Sequence, residues 1–161
     1  MTPVHRIGIG YDVHAFVDAR PFILGGVDVP YDRGLAGHSD ADVLTHALMD
    51  ALLGAMRLGD IGEHFPDTDE AFSGISSLEL LKRVADLARD NGWRLVDADC
   101  VIVAEWPKVS PYRDRMRENI SSCLGVDTSM IGIKATTTEG LGFAGRGEGV
   151  AAQAVVLMER A

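Results

Sequence analysis

Positive charge is scarce in this chain: 15 Lys and Arg stand against 24 Asp and Glu, for a formal net charge of -9. General nucleic-acid binding works through a basic surface that displaces counterions, so no nucleic-acid partner is expected. Cysteine is scarcer still. Cys100 and Cys123 are too few for a disulfide framework and too far apart for a Cys-x-x-Cys metal clip. Long apolar runs are also missing, the longest charge-free stretch being the ten residues from Gly149 to Met158. A membrane helix needs about 20, so no membrane partner is expected. The N-terminus has His5, Arg6 and then a strand pattern in place of the apolar segment of a secretory signal. These absences together favour a reducing, cytoplasmic setting. What remains is 161 residues, 47% of them hydrophobic, enough for one globular domain spanning 1–161. An acidic protein that handles anions must gather positive charge locally or borrow it from metal ions.

Ile7, Ile9, Tyr11 and Val13 alternate with Gly8, Gly10, Asp12 and His14. That period of two marks a strand with one apolar face and a second face ending in Asp12 and His14. Phe22 to Val29 reads as a hairpin turning at Gly25-Gly26. Ser39 with Asp42 fits a capping box for a helix whose apolar stripe is Leu44, Leu48, Ala51, Leu52 and Ala55. Gly59 to Gly74 is turn-rich and expected as an exposed loop. A second helix is expected from about Ser77 to Asp90, capped by Ser76 and Glu79. Trp93 to Trp106 reads as a strand, with Cys100 to Ala104 buried on both faces. A helix from Pro111 to Gly125, a strand Ile131–Thr136, a glycine-rich connector and a strand Val150–Met158 complete the chain. This order predicts an α+β fold, a mixed β-sheet with helices packed on one face.

Asp12 and His14 leave the same face of their strand, close enough to share one ion. Carboxylate oxygen and imidazole nitrogen suit zinc, and a third protein ligand would leave one tetrahedral position open. His38 and His46 are the candidates for that ligand. His46 shares a helical stripe with Asp42 and Asp50, and a carboxylate there would fix its tautomer. The same stripe is equally the wet face of an amphipathic helix. His38 precedes the helix in a loop, a position suited to a substrate contact. Further on, Thr136, Thr137, Thr138 and Glu139 end a strand and lead into a glycine-rich turn with Phe143 and Arg146. Hydroxyls, turn amides and one arginine make a phosphate cradle, and Glu139 fits beside phosphate when a cation such as Mg²⁺ lies between them. An ordinary mobile loop would have the same composition. The chain has neither Walker A nor dinucleotide fingerprint.

Seven segments of the chain carry a resemblance: Gly10 to His14, Gly37 to Asp42 with His46, Gly59 to Gly62, Phe65 to Asp69, Pro107-Lys108, Lys134 to Glu139, and Gly145 to Gly149. In combination they resemble the 2-C-methyl-D-erythritol 2,4-cyclodiphosphate synthase family of non-mevalonate isoprenoid biosynthesis, from about Arg6 to Met158. The resemblance implies a homotrimer with active sites between subunits, and cyclisation of 4-diphosphocytidyl-2-C-methyl-D-erythritol 2-phosphate with release of CMP. It implies Zn²⁺ held by Asp12, His14 and His46, and Mg²⁺ or Mn²⁺ held by Glu139 with the substrate diphosphate. His38 and Thr137 would steady the transition state. Asp12, Val13, His14, His38 and Ser39 would contact substrate. So would Asp60, Ile61 and Gly62, and the run Phe65, Pro66, Asp67, Thr68 and Asp69. The cytidine pocket would comprise Ala104, Glu105, Trp106, Pro107, Lys108, Val109 and Ser110 with Thr136. Thr137, Thr138, Glu139, Phe143 and Arg146 would be further contacts. The chain departs from the family pattern at Ile9, where histidine is frequent, and at Trp106, where a small residue is usual.

Intramolecular cyclisation asks mainly for orientation and charge neutralisation, and no nucleophile-elbow or Cys-His signature is present. Two other readings fit the same residues. A zinc-dependent phosphohydrolase would use the open metal position for hydroxide. A nucleotide-binding module with structural zinc would catalyse nothing.

Overall fold

The computed structural model describes residues 4–161; residues 1–3 of the expected 1–161 domain lie outside the described residues. Strand β1 (His5–Val17) is followed by the hairpin strands β2 (Phe22–Leu24) and β3 (Val27–Val29) and by the short β4 (Gly34–Leu35). Helices α1 (Val43–Met56), α2 (Ile61–His64) and α3 (Ser77–Asp90) come next, then β5 (Trp93–Val103) and α4 (Arg113–Leu124). β6 (Ile131–Thr136), the one-turn α5 (Gly142–Gly145) and β7 (Gly149–Arg160) end the chain. The main sheet runs β4-β1-β7-β5-β6, and β2-β3 pair separately. β5 and β6 are parallel while β1, β7, β4 and β5 pair antiparallel, so the sheet is mixed as the sequence predicts.

The two faces of β1 are used in an unexpected way. Ile7, Ile9 and Tyr11 are 69%, 64% and 57% exposed, and it is the glycine face that packs against α1. A Cβ on Gly8 would stand 1.9 Å from the Ala51 carbonyl oxygen, and one on Gly10 would stand 1.8 Å from that of Ala47. Backbone therefore meets backbone between β1 and α1, an approach only glycine permits. On β7 the inward positions Ala152 and Ala154 are small and fully buried, which keeps α1 close to that strand as well.

The expected wet face of α1 does not exist. Sheet, α3 and the β2–β3 hairpin enclose the helix, so Asp42 is fully buried and His46 nearly so. Asp42, not Ser39, is the N-cap. Its carboxylate accepts the Thr45 N–H (3.0 Å) and hydroxyl (2.8 Å) and the Gly25 and Gly26 N–H groups (2.9 Å each). Burial pushes its pKa up, helped by the Asp40 charge, while these donors oppose the shift. The Gly25-Gly26 turn has positive φ at both residues, which aims two amides at one carboxylate and ties the hairpin to the helix start.

Other expectations need smaller corrections. Ser76 occupies the N-cap of α3 but makes no side-chain capping bond. β5 ends at Val103, and Val101 and Val103 are half-buried because they lie on the outward face beside buried Cys100 and Ile102. Gly59 to Gly74 is not simply loop, since it folds into α2 and a 3-10 turn at Glu70–Phe72.

Candidate metal centre and its cavities

Three electron-pair donors converge where β1 crosses α1. Asp12 Oδ2 lies 2.8 Å from His14 Nε2 and 3.1 Å from His46 Nδ1, and the two nitrogens are 3.2 Å apart. Strand alternation puts Asp12 and His14 on the side facing α1, where His46 arrives from the helix's first turns. Of the two histidines left open by the sequence, the fold brings in His46. His38 is half-buried, and its Nε2–H donates to the Asp69 carbonyl at 2.9 Å.

The chemistry of the donor set fits a cation. His14 Nδ1 is 2.6 Å from the Ala36 carbonyl, which can only accept, so that nitrogen keeps a proton in either charge state and, once the ring is neutral, Nε2 is the nitrogen that offers its electron pair inward. Burial opposes charge on Asp12, yet hydrogen bonds and positive charge from His14 and His46 hold its carboxyl far below the usual range. Burial likewise opposes charge on His14, but Asp12 raises its pKa. A carboxylate and two imidazole nitrogens within 4.8 Å of one another form a three-ligand set of the kind that leaves a zinc position open. Glu139 is not among these residues and stands elsewhere, exposed, after β6.

A cavity of about 440 Å³ opens beside the triad. His38 and Ser39 line it, together with Ile61, Gly62, Phe65, Pro66, Asp67 and Thr68. Phe72 and Leu80, which the sequence did not suggest, complete the apolar wall. Asp60 and Asp69 stand behind the lining. Asp60 caps α2 by accepting the Glu63 N–H at 3.0 Å, and Asp69 caps the next turn by accepting the Ala71 N–H at 2.9 Å. Asp50, on the same helix as His46, accepts the Ile61 N–H at 2.8 Å and so ties this loop to α1. Val13 points the other way, onto the outward sheet face.

A second cavity of about 450 Å³ lies at the ends of β5 and β6. Its lining takes in every residue of the Ala104–Ser110 loop together with Ala135, Thr136 and Thr137. The Ala104 N–H donates to the Thr136 carbonyl at 3.0 Å and closes the loop against β6. Trp106 is 60% exposed at this cavity, and Glu105 Oε2 is buried without a partner. Thr137 Oγ1 accepts the Glu139 N–H at 3.2 Å. Arg146 is paired with Glu148 at 2.7 Å, so the arginine of the expected phosphate cradle already has an anion. Phe143 belongs to α5, and Thr138 donates its hydroxyl to the Leu141 carbonyl at 2.5 Å.

Register places the two cavities along one end of the sheet. Val13 of β1 and Val103 of β5 both pair with Ala151 of β7, and Thr136 of β6 pairs with Val103. Strand β7 stands between them, so the triad and the loop cavity are about 10 Å or more apart across the strands. These two cavities are therefore separate within one chain.

The YgbB family model matches residues 5–159. A 2-C-methyl-D-erythritol 2,4-cyclodiphosphate synthase of Desulfitobacterium hafniense is 57% identical over 153 residues, covering 95% of this chain and 97% of that protein. Among solved structures, the bifunctional IspDF of Campylobacter jejuni superposes with a TM-score of 0.94 at 45% identity, over 98% of this chain and 42% of that longer one. Plasmodium falciparum IspF in a CDP complex gives a TM-score of 0.85 at 31% identity, over 97% and 96% of the two chains. No helix among the described residues is long and apolar enough to cross a membrane. With a family model spanning nearly its whole length and relatives matched end to end, the chain belongs to the YgbB family, that of the 2-C-methyl-D-erythritol 2,4-cyclodiphosphate synthases.

Proposed function

We propose that this protein cyclises 4-diphosphocytidyl-2-C-methyl-D-erythritol 2-phosphate to 2-C-methyl-D-erythritol 2,4-cyclodiphosphate and CMP. The observation that carries the reading is the convergence of Asp12, His14 and His46 on one point beside a cavity, in a chain whose relatives bear that enzyme's name. An oxygen of the 2-phosphate bonds to the β-phosphorus, the bond from that phosphorus to the bridging oxygen breaks, and the electron pair leaves with CMP. Nucleophile and electrophile belong to one molecule, so holding the substrate folded supplies about 7–11 kcal/mol of the barrier reduction. Zn²⁺ on the triad and Mg²⁺ or Mn²⁺ on Glu139 would neutralise the phosphate charges that an acidic protein cannot.

The chain's own groups do the positioning. His38, held by the Asp69 carbonyl at the cavity wall, and Thr137, at the loop cavity, are assigned to the transition state. Ser39, Ile61, Gly62 and the Phe65–Thr68 run hold the methylerythritol phosphate end, with Asp60 and Asp69 shaping those turns. The Ala104–Ser110 loop with Thr136 takes the cytidine, and the Plasmodium falciparum relative is one that binds CDP. Thr138, Phe143 and Arg146 belong to the diphosphate side.

We assign the active unit as a homotrimer with sites shared between subunits. Two observations support it: the triad and loop cavities are separate within one chain, and Ile7, Ile9, Tyr11 and Val155 form an exposed apolar sheet face. The free thiols of Cys100 and Cys123 accord with a cytoplasmic setting. Phosphorus NMR with the named substrate tests the reaction: a cyclic diphosphate and CMP are expected. Incorporation of solvent oxygen into an open-chain phosphate product would instead establish the phosphohydrolase.

A further inference from the structure

His46 differs from His14 in what its outer nitrogen meets. His14 faces a carbonyl, which settles its tautomer. His46 Nε2 faces two hydroxyls, Ser77 Oγ at 2.9 Å and Ser39 Oγ at 3.1 Å. A hydroxyl can donate or accept, so these contacts alone leave the imidazole proton free to sit on either nitrogen. On Nδ1 it would point at Asp12 Oδ2, an acceptor 3.1 Å away, and occupy the electron pair a metal needs.

Asp40 sets an opposing pull on the outer nitrogen. Its carboxylate accepts the Ser77 hydroxyl proton, and its other oxygen accepts the Ser77 backbone N–H at 3.0 Å. An ionised carboxylate only accepts, so Ser77 spends its proton on Asp40 and can offer His46 nothing but a lone pair. Ser39 carries no such constraint. Its oxygen accepts the Ala41 N–H at 3.2 Å, and among the described residues its proton has no acceptor besides His46. Left to Ser39 alone, Nε2 could accept instead of donate. We infer that Ser77 and Asp40 are positioning residues that hold His46 as the Nε2–H tautomer, keeping its Nδ1 electron pair aimed at the Asp12–His14 cluster. The tautomer is a property of the chain itself; only its consequence for metal affinity rests on the metal-centre reading above.

The same carboxylate does a second job. Since Ser76 makes no side-chain cap, Asp40 satisfies the first N–H of α3, which locks Ser77 in place below His46. The arrangement spans 37 residues between Asp40 and Ser77 and 31 between His46 and Ser77, which is why no local pattern announces it.

Two variants test the inference. In Asp40→Asn the amide oxygen can still accept the Ser77 N–H while the NH₂ group donates to its hydroxyl, reversing the relay without unseating α3. Ser77→Ala keeps the backbone bond to Asp40 and removes only the hydroxyl. Side-chain nitrogen NMR of the metal-free protein is expected to show His46 protonated on Nε2 in the wild type, with Nδ1–H appearing in Asp40→Asn. Zinc affinity, measured by chelator competition, is expected to fall about 10- to 100-fold in both variants and to recover in Ser77→Thr. A folded Asp40→Asn protein with His46 still protonated on Nε2 and zinc affinity within about twofold of wild type would overturn the relay. Should Asp40→Asn not fold, Ser77→Ala decides by the same two measurements. A wild-type protein that binds no zinc would sink the metal-centre reading, while the nitrogen shifts would still judge the tautomer.

Discussion

The metal-ligand triad and the Thr137–Arg146 segment are built by opposite means. Around Asp12, His14 and His46 every side chain is held from several directions: Ala36 fixes one imidazole, Ser39 and Ser77 the other, and the ligands sit on a long strand and a buried helix. In the Thr137–Arg146 segment Thr137, Glu139 and Arg146 are exposed and the bonds are short-range, Thr137 to Glu139, Thr138 to Leu141 and Arg146 to Glu148. Glu139 even sits at a positive φ of 55°, in the left-handed region that non-glycine residues seldom adopt. The first region is preorganised by the chain. The second holds a set of groups that only a ligand or a neighbouring copy can draw into register.

The largest effect should come from the preorganised side. Asp12→Ala removes the carboxylate that touches both imidazoles, and metal analysis should find the zinc gone. Turnover should fall about 10³-fold or more, as expected when several kcal/mol of charge stabilisation is lost. Retention of stoichiometric zinc by this variant would break the comparison. Glu139→Gln should cost less, roughly 10²-fold in kcat, the scale of one lost electrostatic contact in a transition state. Its zinc content should not change, because Glu139 is outside the triad. Zinc loss in that variant would mean the two regions are coupled.

The two regions also differ in how far the sequence announced them. Asp12 and His14 were legible because a strand repeats every two residues, so D-x-H placement on one face follows from geometry alone. That His46 and not His38 completes the set was not legible, because it depends on how α1 lies across β1. The role of Asp42 was misjudged for a related reason. A carboxylate at i-4 from a histidine suggests a hydrogen bond, but Asp42 is claimed by four donors of its own, two of them from the Gly25-Gly26 turn. The groups that do meet His46 are serines, which carry no periodicity and whose partners lie far along the chain. The Ala104–Ser110 loop was singled out through the family resemblance, because no periodicity or spacing marks a backbone-lined cavity. The overall α+β order was legible throughout, yet the outward turn of Ile7, Ile9 and Tyr11 was not, since alternation reports two faces without saying which one the helices take.

pH sharpens the contrast from the electrostatic side. His14 carries a raised pKa in the metal-free protein because Asp12 stands beside it, so a proton competes with a metal for Nε2. Zinc affinity should therefore rise about tenfold per pH unit from pH 6.5 upward and level off only once the raised His14 pKa is passed. The same shift bears on folding: protonated His14 stabilises the metal-free fold below the unfolded pKa of about 6.5, and that contribution is lost as pH rises through the folded pKa. For Asp12 the sign is reversed. Its lowered pKa adds stability above the ordinary carboxylate value, lost as pH falls toward the folded pKa. Metal-free protein should thus lose stability on the alkaline side where zinc binding gains strength, and chelator titrations beside thermal melts across that range would reveal the crossing. A flat affinity profile would mean that Asp12 and His14 do not share one proton-competitive centre.

The smallest effect tests why the triad can be preorganised at all. The 3.1 Å separation of Asp12 and His46 depends on β1 and α1 approaching backbone to backbone, and Gly10 is the residue that allows it. Gly10→Ala would press a methyl group to 1.8 Å from the carbonyl oxygen of Ala47, the residue next to His46. Neither atom is the tip of a flexible side chain, so α1 must shift. Overpacking of this kind costs about 1–3 kcal/mol, visible as a lower Tm. The triad should suffer with it, because a displacement of α1 moves His46 and leaves Asp12 and His14 on their strand. Weaker zinc binding is therefore expected in a protein whose Glu139 region, carried on β6 and remote from this contact, keeps its response to a second divalent ion. Gly54→Ala is the matched control, since its Cβ would meet nothing nearer than an oxygen at 3.9 Å. It adds the same methyl group from the helix side of this strand–helix pair, without forcing β1 and α1 apart. Equal zinc affinity in the two variants would show that close strand–helix packing is not what sets the ligand geometry.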